Sequence, residues 1–100
     1  MEKLFLLKHD FQDVNRDAEK KYFCPNCAIL EGLFVYYPRL RDELDIHYVD
    51  FPRPRPAIVE LIGEENQSCP VLIQEDGNFI NETKDIIQYL TTRYHIGVKH

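Results

Sequence analysis

The chain has 100 residues, 44% of them hydrophobic and 29% charged, with a net charge of −5. That is enough for a single core and too little for two, and the apolar content excludes a disordered chain. The acidic balance, with a pI near 5.3, excludes binding to nucleic acid by phosphate neutralisation.

Lys3 to His9 carries the apolar run Leu4-Phe5-Leu6-Leu7, whose length suits a buried central strand. The run is too short for an export signal or a membrane span, and no later stretch is longer, so no membrane partner is expected and the expected location is cytoplasmic. Asp10 to Tyr22 is polar and without a clear period. It predicts a surface loop of unusual length, inserted before the cysteines over residues 10–23, and such loops are functional or mobile.

Cys24-Pro25-Asn26-Cys27 follows. Pro25 suits a first helical turn, where its missing N–H is no loss. Leu30, Leu33, Phe34 and Tyr37 then recur at helical spacing until Pro38 closes the helix. Arg39 to Glu43 predicts a charged connector. Leu44 to Asp50 alternates apolar and polar residues, as a second strand does. Strand, helix and strand in this order form a βαβ unit with parallel strands.

Phe51-Pro52-Arg53-Pro54-Arg55-Pro56 must be extended, because its three prolines exclude a helix interior. Ala57 to Ile62 predicts a short helix ended by Gly63. After a loop, Cys69-Pro70 leads into a strand at Val71-Leu72-Ile73. Glu75-Asp76-Gly77-Asn78 predicts a hairpin turn, and Phe79-Ile80 the returning strand. Asn81 or Thr83 is placed to cap a last helix, whose buried stripe is Ile86, Ile87, Leu90 and Tyr94.

Two thiols three positions apart at a helix start can close a disulfide or face one metal. At the helix N-terminus the unpaired N–H groups and the macrodipole favour a thiolate at Cys24, the nucleophile of thiol–disulfide exchange, with Cys27 able to resolve the mixed disulfide. Three cysteines, an odd number, do not form a disulfide framework in a reducing compartment. Cys69 is either a small buried apolar residue or a third sulfur near the pair; in the second case the three thiols make an incomplete zinc or iron–sulfur site. No second C-x-x-C or H-x-x-x-H accompanies them. His9, His47, His95 and His100 lack ligand spacing and read as surface or strand-end residues. Arg53 and Arg55 read as a solvated edge, with an anion clamp or a partner-binding edge as the sharper alternatives. Tyr36 and Tyr37 read as exposed, leaving a monomer and a homodimer both open.

The element order β-α-β-α-β-β-α, with C-x-x-C opening the first helix and a proline opening the third strand, resembles the thioredoxin fold: an α/β domain with a central four-stranded mixed sheet and helices on both faces. Cys24-Pro25-Asn26-Cys27 resembles the C-P-x-C motif of glutaredoxins. Ser68-Cys69-Pro70-Val71-Leu72 resembles the segment bearing a cis proline in glutaredoxins and glutathione transferases. Asp76-Gly77, Glu82-Thr83, Ile86, Tyr89 and Leu90 resemble the N-terminal domain of glutathione transferases. The likeness spans nearly the whole chain, which resembles one of the bacterial branches of that superfamily.

The resemblance implies a glutaredoxin-like thiol–disulfide oxidoreductase, with glutathione as cosubstrate or a protein disulfide as substrate and no other cofactor. Cys24 would attack and Cys27 resolve. Pro25 would shape the helix start, and a cis Pro70 would turn the Cys69 backbone toward a glutathione or peptide strand. Glu82 and Thr83 would receive the γ-glutamyl group. Two features depart from the pattern: the residue 10–23 insertion, and the lack of room for the second, helical domain of a transferase. A metal or iron–sulfur protein and a non-catalytic interaction module are the alternatives.

Overall fold

The computed structural model describes residues 1–100. In chain order the elements are β1 (Lys3–Leu7), α1 (Pro25–Tyr36), α2 (Leu40–Glu43), β2 (Asp45–Val49), α3 (Pro56–Ile62), β3 (Val71–Ile73), β4 (Phe79–Ile80) and α4 (Thr83–Tyr94). They form an α/β domain around an open four-stranded mixed sheet of order β2-β1-β3-β4. β1 pairs parallel with β2 and antiparallel with β3, and β3 pairs antiparallel with β4.

β1 and β3 are covered on both faces, which explains why they read as continuous apolar runs. Because strand side chains alternate, Leu4, Leu6 and Leu72 point into one cluster with Leu30 and Phe34 of α1 and Ile86 and Leu90 of α4. Phe5, Val71 and Ile73 point the other way and pack on Ile58 of α3. Helices therefore lie on both sides of the sheet. Glu2 is only 7% exposed and accepts hydrogen bonds from the Tyr89 and Tyr94 hydroxyls, tying α4 to the start of β1. Burial, followed by the Glu2 carboxylate, pushes the Tyr94 hydroxyl well above the ordinary phenol range. The β3–β4 hairpin turns as the sequence predicts. Gly77 takes a positive φ of 91°, and Asp76 Oδ1 accepts from Asn78 N at 2.9 Å.

Several expectations need correction. Arg39 to Glu43 is not a simple connector: Leu40 is fully buried, and its insertion into the core winds the segment into α2. The first two strands are shorter than the segments that predict them, Lys3 to His9 and Leu44 to Asp50, ending at Leu7 and Val49. Neither Asn81 nor Thr83 is the N-cap of α4; Glu82 holds that position with an extended backbone and no side-chain cap bond. Tyr37 is half-buried, its hydroxyl accepting from Gly97 N at 3.2 Å. His47 stacks on the Phe5 ring at 4.9 Å.

The loop between β1 and α1 is closed on itself. Phe11 and Tyr22 form an isolated antiparallel bridge at its base, with Phe11 N donating to Tyr22 O at 3.0 Å and Tyr22 N to Phe11 O at 2.8 Å. Phe11 stacks on Phe51 at 4.3 Å, which docks the loop on the proline segment. Asp13 and Asp17 accept from Asn15 N and Glu19 N, both at 3.0 Å, the side-chain turns that aspartate favours.

Candidate active site at the start of the first helix

Cys24 is the N-cap of α1, with φ −81° and ψ 112°. Its Sγ accepts from Cys27 N at 3.1 Å, and its carbonyl accepts from Ala28 N at 3.0 Å. The sulfur thus does what a serine or aspartate oxygen does at other N-caps: it takes one of the orphan N–H groups. Pro25 occupies the first turn, where no donor is lost. The remaining free N–H groups of the first turn lie at the same end of the helix.

Cys27 sits one turn further in. It is 4% exposed and belongs to the core cluster of α1 and α4. Burial, reinforced by its contact with Cys24, holds its thiol well above the ordinary range. Cys69 approaches from the β3 side. The Cys24 thiol donates to the Cys69 carbonyl at 3.9 Å, and the Cys69–Pro70 peptide bond is cis, as is Arg53–Pro54. Burial pushes the Cys69 thiol from 9.0 up to about 11, a rise the neighbouring Arg55 guanidinium opposes.

Arg55 is the residue that sequence reading placed wrongly. Far from lining a solvated edge, it is 5% exposed. Its Nη1 donates to Gln67 O at 2.6 Å, and its Nη2 and Nε donate to Phe51 O at 2.6 and 3.0 Å. Its backbone N–H donates to Gln67 Oε1 at 2.7 Å. One guanidinium thereby pins the proline segment to the loop leading into Cys69. Burial lowers its pKa, partly offset by Cys69. Arg53, two residues earlier, is exposed. Nothing in the local sequence distinguishes the two arginines; only the closure of the loop over Gln67 does.

An open cleft of about 890 Å³ flanks Cys24 and Cys27 on the side away from Cys69. Apolar Leu6, Leu7 and Phe23 and polar His9, Asp10, Glu31 and Tyr48 line it with the two thiols. Two of these residues are held in place: Tyr48 Oη donates to Glu31 Oε1 at 2.6 Å and Arg41 Nη2 to Glu31 Oε2 at 2.8 Å. Sheet order explains the two-sidedness, since Tyr48 lies on β2 and Cys69 precedes β3, the two neighbours of β1. Sequence reading had no signal for this cleft. Glu82 and Thr83, at the start of α4, are exposed and half-buried respectively and do not line it. No group of three or more His, Cys, Asp or Glu side chains is placed to hold a metal ion, so the three thiols do not form a ready ligand set.

The different surroundings of the three sulfurs set an order of reactivity. Iodoacetamide is expected to label Cys24 first at pH 8, and peptide mapping reads the order. Cys69 should label slowly there and accelerate about tenfold per pH unit until near pH 11, because only the thiolate reacts. Stability follows the same titration. The folded chain holds the Cys69 proton more tightly than the unfolded one, so stability is full below about pH 9 and declines as pH rises toward about 11. A Cys69→Ala variant should show a shallower decline in urea unfolding over that window.

No helix is long and apolar enough to cross a membrane. Comparison with curated proteins and with solved structures gives no match. Residues 1–98 do match a family model, described as "Protein of unknown function (DUF3088)", and the chain belongs to that family.

Proposed function

We propose that this protein is a thioredoxin-fold thiol–disulfide oxidoreductase of the glutaredoxin type, with Cys24 as nucleophile and Cys27 as resolving thiol. The observation that carries this reading is Cys24 Sγ at the N-cap of α1, accepting the Cys27 N–H at 3.1 Å and facing the Cys69 carbonyl at 3.9 Å. A sulfur so placed borders an open cleft, while its partner one turn further in stays buried and protonated. The strand order agrees with the fold part of the proposal.

In the forward reaction the Cys24 thiolate attacks one sulfur of a substrate disulfide. The Cys24–substrate bond forms, and the other substrate sulfur leaves as a thiolate and takes a proton. Cys27 then gives up its proton and attacks the Cys24 sulfur, expelling the second substrate thiol. The substrate is reduced by two electrons, and the pair is left as a Cys24–Cys27 disulfide. Two glutathione thiols restore the dithiol and leave as glutathione disulfide. The backbone at Cys69 offers pairing groups to an extended cysteinyl segment, and the apolar cleft on the other side receives what flanks the scissile disulfide. Glu82 and the N-terminus of α4 remain candidates for the γ-glutamyl carboxylate and amine.

The direct test is reduction of a glutathionylated peptide, coupled through glutathione disulfide to NADPH consumption by glutathione reductase. Turnover well above the uncatalysed rate is expected of the intact protein. A rate equal to buffer and glutathione alone, with all three thiols reduced, would sink the proposal.

A further inference from the structure

Helix α1 is apolar almost all round: between Pro25 and Tyr36 its side chains are polar only at Asn26 and Glu31. Such a helix is normally covered on every side. Here one face packs through Cys27, Leu30 and Phe34 on the core, while the opposite face is bare. Ile29 is 50% exposed, Val35 75% and Tyr36 78%. Ala28 and Gly32 are exposed beside them. Positions 28, 29, 32, 35 and 36 fall on one stripe of a helix, so the bare residues form a continuous strip.

We propose that this stripe is a two-fold interface with a second copy of the chain, in which the two α1 helices cross antiparallel at Gly32. The order of residues about Gly32 supports a self-complementary contact. In an antiparallel crossing, positions equally far before and after the centre meet across the axis. Three residues out, Ile29 meets the second copy's Val35. Four residues out, Ala28 meets the second copy's Tyr36, a small side chain opposite a large one. At the centre, nothing lies within 4 Å of where a Gly32 Cβ would stand, so the backbones are free to approach closely. No such small-against-large match results if the helices run parallel, which sets Ala28 on Ala28 and Tyr36 on Tyr36.

Charge adds no local obstacle. Two copies each carry −5, and their repulsion falls least on a contact that is itself uncharged. The stripe has no charged side chain, and the one carboxylate on the helix, Glu31, is already paired with Arg41 at 2.8 Å. Phe23 lines the cleft beside Cys24 and stays outside the contact, so the strip offers on the order of 400 Å² per protomer. A pair would bury about 800 Å² in all, the small end of transient interfaces, so the expected dimer is reversible and weak, with a dissociation constant of roughly 100 µM.

Sedimentation equilibrium on the full chain from about 1 µM to about 1 mM tests this. The weight-average mass should rise from that of one chain toward that of two. Gly32→Gln fits the free protomer, where the position faces open space, and raises helix propensity, so it cannot fail by unfolding the helix. It should weaken association about a hundredfold. Ile29→Glu and Val35→Lys should each do the same. Combined in one chain, they should restore the dimer, because the introduced carboxylate and ammonium then face each other twice across the axis. A chain that stays monomeric throughout overturns the proposal in favour of a partner of different sequence. A dimer indifferent to the single changes, or one not restored by the pair, overturns it as well. Circular dichroism of each variant separates lost association from lost folding.

Discussion

A Cys27→Ser variant is expected to stop halfway, accumulating a mixed disulfide on Cys24 when exposed to a glutathionylated peptide. The nucleophile is intact, with its helix start formed by Pro25 and its hydrogen bond from the backbone N–H of residue 27, which the substitution keeps. The sulfur that would expel the substrate thiol is missing. Intact mass should show one added group, removed by dithiothreitol. Cys24→Ser removes the attacking atom and should lower exchange by roughly a thousandfold or more, the scale on which removal of a nucleophile acts. Cys69→Ala should keep most of the activity, because the proposed reaction uses the Cys69 backbone and not its thiol. A Cys24→Ser protein as active as the parent would assign the chemistry to another group, and trapping on Cys69 would reverse the proposed roles.

Arg55→Ala is expected to cost about 3 kcal/mol of folding stability, roughly a third of what a small domain has. The guanidinium satisfies the carbonyls of Phe51 and Gln67 at 2.6 Å each, and both are left beneath the surface without their donors once it is gone. Its plane also lies 5.6 Å from the Phe51 ring centroid, the same ring on which Phe11 stacks. The loss should therefore spread to the loop before α1, where faster amide exchange at Phe11 and Tyr22 would report an opened bridge. Arg55→Lys keeps a charge but cannot span two carbonyls with one fork, and should recover less than half. Arg53→Ala, at an exposed position, should change stability by less than about 0.5 kcal/mol. Urea midpoints of the three variants decide the matter. Equal small effects at both arginines would mean that Arg55 is not the pin the geometry describes.

Most secondary structure was legible because the relevant forces are local. The apolar runs at Leu4–Leu7 and Val71–Ile73 could only be buried strands, Gly77 supplied the turn between β3 and β4, and Pro25 opened α1. The element order and the parallel pairing of β1 with β2 followed from those pieces. Where local and tertiary forces competed, reading failed. Leu40 sits among Arg39, Arg41, Asp42 and Glu43, so the segment looks like a solvated connector until the core takes up that one side chain. The loop before α1 has no period because its order comes from one bridge and one aromatic stack, with Phe51 forty residues away.

At the site, the motif Cys24-Pro25-Asn26-Cys27 determined by itself that two sulfurs share a helix start, since a proline after the first cysteine leaves few other backbone paths. It determined nothing about how the sulfurs differ. That was settled by tertiary packing: the sheet buries Cys27, the loop before β3 brings the Cys69 carbonyl to Cys24, and Arg55 locks that loop from behind. The cleft toward Tyr48 and the bare stripe of α1 belong to the same class of fact. Both depend on which face of a helix the sheet covers: Leu30, Leu33 and Phe34 recur at helical spacing and do turn to the core, but the opposite face of α1 is apolar too, so nothing in the sequence marks it as bare.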